Sequence, residues 1–137
     1  MSALPFIDDH RIQVRAPVEQ TWAALAKLAR RLAERPAPRA FVSLWRLDPP
    51  SGFAIKSSSS ERIVLVGHHR FAHYELAFEL HPTEDGVEVR GRTSAEFPGA
   101  AGRLYRALVI GSGGHGVAVR GMLRRVRRAA ERGASTP

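Results

Sequence analysis

Three consecutive stretches between Arg62 and Phe97 constrain this chain more than anything else in it. Arg62 to Gly67 is apolar throughout. Phe71 to Leu80 alternates, with Ala72, Tyr74, Leu76, Phe78 and Leu80 on one face and His73, Glu75 and Glu79 on the other. Val87 to Phe97 alternates again, its exposed face marked by Glu88, Arg90 and Arg92. Period-two patterning of this kind makes half-buried strands. The links between them are of hairpin length, and Asp85-Gly86 is a strong turn signal. Strands joined so briefly run antiparallel, because a parallel pair needs a crossover of a dozen residues or more. A parallel βαβ layout is thereby excluded.

The remaining segments fit around this meander. His10 to Ala16 alternates, with Ile12 and Val14 on one face. Pro17 then suits the first turn of a helix in which Trp22, Leu25, Leu28 and Leu32 recur at spacings of three and four. Pro36 and Pro38 end it. Phe41 to Leu47 reads as a strand, Phe53 to Lys56 as a short one, and Ser57 to Ser60 as a loop tip, which brings the predicted strands to six. From Ala100 to about Arg132 the pattern is helical. The expectation is an α+β fold of one domain, residues 1–137: a curved antiparallel sheet wrapped around a long C-terminal helix.

Composition removes several chemistries. The chain has no cysteine, which excludes disulfides, thiolate catalysis and thiolate metal sites. No apolar run approaches the roughly 18–20 residues of a membrane span. Asp8 and Asp9 stand where a signal peptide carries base, so a cytoplasmic protein is expected. The net charge is +8, yet eight arginines against Glu131 between Arg103 and Arg132 account for all but one unit of it. The basicity belongs to the terminal helix.

One stripe of that helix reads Ala101, Tyr105, Leu108, Ser112, His115, Val119, Met122, Val126 and Ala129. Ser112 and His115 interrupt it, and burying either unpaired costs about 1–3 kcal/mol. Each therefore has a partner, meets water or lines a cavity. Gly111, Gly113, Gly114 and Gly116 crowd the same place at about 0.8–1 kcal/mol each against alanine, so the helix bends there or its backbone approaches something closely. A phosphate-cradling loop is disfavoured, since no strand precedes the glycines and no Gly-Lys-Ser/Thr follows.

Other constellations read plainly. His69 and His73 lie about 13 Å apart along an extended chain at ~3.3 Å per residue, too far to share a metal, and the histidines of this hairpin are assigned to its turn and surface. Glu75 and Glu79 are assigned to the solvent face. His115 with Ser112, on one helix face with Tyr105 two turns earlier and with Tyr74 facing inward from the sheet, is the best chemical candidate. It is a satisfied core histidine, a polar patch of cavity wall, or an acid–base group acting at a carbonyl. No carboxylate can be named to orient it, and no nucleophile is evident.

Arg11-Ile-Gln-Val-Arg-Ala-Pro-Val-Glu-Gln-Thr-Trp-Ala-Ala-Leu25 resembles the opening of the START-like, or SRPBCC, superfamily, where a first strand ending in Ala-Pro leads into a helix carrying an aromatic residue and then Leu. The meander and long terminal helix resemble that superfamily's helix-grip fold. Two features depart from it: six strands instead of seven, and glycines interrupting the helix. The resemblance, which includes polyketide cyclase/dehydrase-like members, implies a hydrophobic ligand such as a lipid or polyketide held between sheet and helix. The expected ligand-facing residues are Tyr74, Leu76, Phe78, Tyr105, Leu108, Ser112, His115, Val119 and Met122. No cofactor or metal is expected, and polyketide cyclase or dehydratase activity is a variant of this reading. The rival is an anionic partner, nucleic acid or an acidic membrane surface, met by Arg120, Arg124, Arg125, Arg127 and Arg128. Nucleic acid is disfavoured because no base-stacking aromatics interleave with these arginines. The terminal helix or an open sheet edge leaves a homodimer open.

Overall fold

The computed structural model describes residues 4–135. The order is β1 (Phe6–Val14), α1 (Val18–Glu34), α2 (Arg39–Trp45), β2 (Ala54–Ser58), β3 (Arg62–His69), β4 (Ala72–Thr83), β5 (Gly86–Glu96), α3 (Gly99–Val109) and α4 (Gly114–Ser135). One antiparallel sheet runs in the order β1-β5-β4-β3-β2. The fold is α+β, with helices on one face of an open sheet. No helix among the described residues is long and apolar enough to cross a membrane.

The alternation along β4 and β5 sets the register. Leu76 stands opposite Thr93, Phe78 opposite Gly91 and Leu80 opposite Val89. That inner face meets Leu25, Leu28 and Ala29 of α1 and Val119, Leu123, Val126 and Ala130 of α4 in one buried core. Gly91 is what lets α4 approach, since a Cβ there would lie 3.1 Å from Val119 and 3.4 Å from the Phe78 ring. On the other face Val64 is also buried opposite Ala77, which explains why β3 is apolar from Ile63 to Val66. Glu75 lies there too. It is buried, not solvated as expected, with its Oε1 3.3 Å from Lys56 Nζ.

Two sequence expectations are corrected. Phe41 to Leu47 is not a strand: Arg39–Trp45 is a helix that Pro38 introduces and Arg46 closes in the left-handed region at φ 52°. Strand-favouring side chains lose to local contacts here. A helix brings Phe41 and Trp45, four residues apart, into a stack at 5.6 Å, and turns Trp45 toward Phe71 and Tyr105. Five strands result, not six.

The second correction concerns the terminal helix, which is two helices. Gly111 would place a Cβ 2.5 Å from the Ala107 carbonyl oxygen, and Gly113 sits at φ +82°. An L-residue in that left-handed region costs roughly 1–2 kcal/mol, so Gly113→Ala is expected to lower stability by about that amount in urea unfolding. Bending wins over close approach as the reason for the glycines. The inner face of α3 runs through Gly102, Tyr105 and Val109, so the continuous stripe fails from Leu108 to Ser112.

Candidate functional site

The sheet, α3 and the start of α4 enclose a cavity of about 280 Å³. Its floor is the inner face of β4 and β5, at Ala72, Leu76, Thr93 and Ala95. Its wall on the helix side is Val109, Ile110, His115, Val119 and Met122, with Ala118 at the rim. Aromatic rings close one end. Tyr105 stacks on Phe71 at 5.5 Å, meets His69 edge-on at 4.9 Å and lies 6.1 Å from Phe97. Phe53 packs edge-on to Tyr74 at 5.5 Å. Such edge-to-face and offset pairs contribute about 0.5–1.5 kcal/mol beyond area burial, so this end is a rigid wall.

Tyr74 crosses the sheet to donate its hydroxyl proton to the Gly52 carbonyl. Gly67 makes room, because a Cβ there would fall 2.7 Å from that hydroxyl oxygen. His69 accepts a hydrogen bond at Nδ1 from the Phe71 backbone N–H at 3.1 Å, which puts the proton of its neutral form on Nε2. On the helix side, His115 Nε2 lies 2.9 Å from Thr93 Oγ1 and 3.5 Å from Asp8 Oδ1. Asp8 Oδ2 in turn lies 3.2 Å from His10 Nε2. A register shift between Phe6 and Asp8 sets Asp8 opposite Thr93 and under His115.

Of the residues expected to face a ligand, Tyr74, Leu76, Tyr105, His115, Val119 and Met122 line the cavity together. Phe78 does not: it is fully buried beneath, in the core shared with α1 and α4. Leu108 is 64% exposed, beside Val109, which takes the inward position on α3. Ser112 is exposed as well. Its hydroxyl donates to the Val109 carbonyl at 3.4 Å and accepts from the Gly114 N–H at 3.3 Å, so it braces the glycine turn. Sequence reasoning missed His69, Phe53, Phe97, Thr93 and the carboxylate of Asp8. The alternation of β5 could have found Thr93, which is two residues from inward-facing Ala95.

No protein-family model matches the sequence, and no curated protein matches it. Solved structures do match, at low identity. A conserved protein from Geobacillus kaustophilus superposes with TM-score 0.61 at 11% identity, over 90% of this chain and 94% of that one. The di-domain ARO/CYC StfQ from the steffimycin biosynthetic pathway gives 0.62 at 16%, over 96% of this chain and 53% of that one. DynU16, a protein of the dynemicin biosynthetic locus, gives 0.52 at 16%, over 92% and 47%. This chain thus spans about half the length of the last two. It has a helix-grip-like fold. These likenesses establish the architecture, in which the grip is supplied by α3 and α4 jointly.

Burial favours the neutral forms of three groups that line the cavity. Burial holds His69 below its ordinary 6.5, helped by His68 and His73, and pushes Tyr74 up to about 12, with Tyr105 adding to that. Burial raises Tyr105 too. Both phenols are protonated and His69 is neutral near neutral pH. Among the described residues no group of three His, Asp or Glu could hold a metal ion. Because the folded pKa of His69 is depressed, its contribution to stability is complete above 6.5 and is lost as pH falls from 6.5 through the folded value. Urea midpoints of the parent protein are therefore expected to drop more steeply below pH 6.5 than those of His69→Phe.

Proposed function

We propose that this protein binds a small, neutral, hydrophobic molecule between its sheet and helices α3 and α4. The observation that carries the reading is a cavity whose walls are mostly hydrocarbon and aromatic, with the Tyr74 hydroxyl engaged by Gly52 and His115 by Thr93. Such a lining is what apolar ligands require, with one or two polar groups fixing orientation. Size narrows the class. A cavity of about 150 Å³ holds benzene, so the 280 Å³ here suits a bicyclic aromatic better than a long acyl chain. Similarity to the ARO/CYC StfQ favours an aromatic polyketide or a fragment of one.

A cyclase or dehydratase variant rests on His115 and Thr93 at the cavity wall, with Asp8 behind them. Thr93 meets the imidazole at Nε2, with the Asp8 carboxylate 3.5 Å from the same nitrogen, which leaves Nδ1 as the atom for acid–base work at a carbonyl. Binding is tested first, by thermal unfolding with 2-naphthol, larger polycyclic quinones and fatty acids. A bicyclic ligand at about 100 times its Kd adds about 2.7 kcal/mol, which raises Tm by about 8 °C at about 3 °C per kcal/mol for a chain of this size. No shift with any apolar compound overturns the reading.

A further inference from the structure

A second recess lies elsewhere, between α1 and α4, and shares no lining residue with the apolar cavity. Lys27, Arg31 and Arg35 enter it from α1 and its C-terminal cap at spacings of four. Arg125, Arg128 and Arg132 enter it from α4 at spacings of three and four. The lining carries six formal positive charges and no carboxylate, in a space of about 590 Å³. This grouping is unlike a solvated helix face, which intersperses both signs. Like charges three and four residues apart weaken the helix that carries them, and here two helices bring such rows to one place. Five of the six are arginines, whose forked guanidinium matches phosphate oxygens bidentately.

We propose that this cleft is a binding site for a condensed phosphate chain, free or carried on a small molecule. The floor is aliphatic, at Ala24, Leu28, Val126 and Ala129, and no aromatic side chain lines it to stack a nucleobase. All six cations are exposed, and they line the two sides of one groove between α1 and α4. Arg120 and Arg124, on the same helix, lie outside it. A compact polyanion therefore fits better than an extended one such as duplex DNA.

The test is calorimetric titration of the full chain with inorganic tripolyphosphate. Saturable one-site binding is expected, and Arg31→Gln with Arg128→Gln, one from each wall, weakens it about a hundredfold, about tenfold for each charge-assisted hydrogen-bonding partner removed. Lys27→Gln with Arg125→Gln does the same. Arg120→Gln with Arg124→Gln changes net charge equally but leaves affinity within about twofold, since neither side chain lines the cleft to meet the phosphate directly. Thermal unfolding of the cleft variants stays level or rises, because like-charge repulsion is relieved. Adenosine triphosphate binding as tightly as tripolyphosphate points to the free chain, and tighter binding that the cleft variants abolish points to a carrier molecule. Absence of saturation, equal weakening by the outside pair, or tighter binding of a DNA duplex with equal dependence on Arg120 and Arg124 overturns the proposal. Naphthol binding in the apolar cavity is unaffected by any of these variants, so the two sites stand or fall separately.

Discussion

Phe78→Ala is expected to destabilise the protein by about 3–5 kcal/mol, the cost of truncating a fully buried phenyl ring and leaving the void behind. Phe78 is 0% exposed, and its ring lies against Gly91 across the strand pair, where α4 descends with Val119. A backbone glycine and an anchored helix cannot close over the space, which puts the expected loss toward the upper end. Urea unfolding measures it as a lowered midpoint at constant slope. A loss under about 2 kcal/mol would show that the ring faces a compressible cavity and not the packed core. Leu76, its neighbour on the same face, makes a useful contrast because it lines the apolar cavity and belongs to the core at once.

Phe78 also shows why the sheet was legible and its division of labour was not. Alternation places Tyr74, Leu76 and Phe78 on one face, and they are on one face. Nothing in a period of two says where along that face the helix seats itself. That is decided by Gly91 and Val119, which are distant in sequence and meet only in the folded chain. The same holds for Asp8. Its position opposite Thr93 depends on a strand irregularity near Phe6, and a bulge leaves no periodic trace.

The terminal helices fail in a different way. Tyr105, His115, Val119 and Met122 lie where a continuous 3.6-residue period puts them, and Leu108 and Ser112 do not. The four glycines signalled an interruption: α3 turns Tyr105 and Val109 inward before it, Ser112 falls in the turn itself, and α4 rejoins the expected face at His115. Gly113 at φ +82° lies in that turn. Likewise the strand reading of Phe41 to Leu47 weighed intrinsic preference, while the outcome followed the i, i+4 stack of Phe41 on Trp45. The acidic residues of β4 fell to a third cause. Glu75 is on the outer face as its alternation requires, yet it is buried there, with Lys56 of β2 3.3 Å from its carboxylate.

The helix break makes ligand binding separable from stability at single positions. Ala118 is exposed at the cavity rim, on the first turns of α4. Ala118→Trp extends an indole over the opening without entering the core, so unfolding free energy is expected to stay within about 0.5 kcal/mol of the parent. Affinity for 2-naphthol is expected to fall about tenfold or more, equivalent to at least about 1.4 kcal/mol, as the ring occupies volume the ligand needs. Leu108→Ala and Ser112→Ala serve as opposites. A continuous helix would bring both side chains into the cavity, and both substitutions would then weaken binding. With the chain turning at Gly113, Leu108 faces solvent and Ser112 braces the turn, so the affinity of either variant is expected to match the parent. Fluorescence titration of the three variants distinguishes the geometries: a loss in Leu108→Ala comparable to that in Ala118→Trp means that α3 and α4 close as one rod when a ligand enters. Unchanged binding in Leu108→Ala beside a tenfold loss in Ala118→Trp means that the bent arrangement is the one that grips.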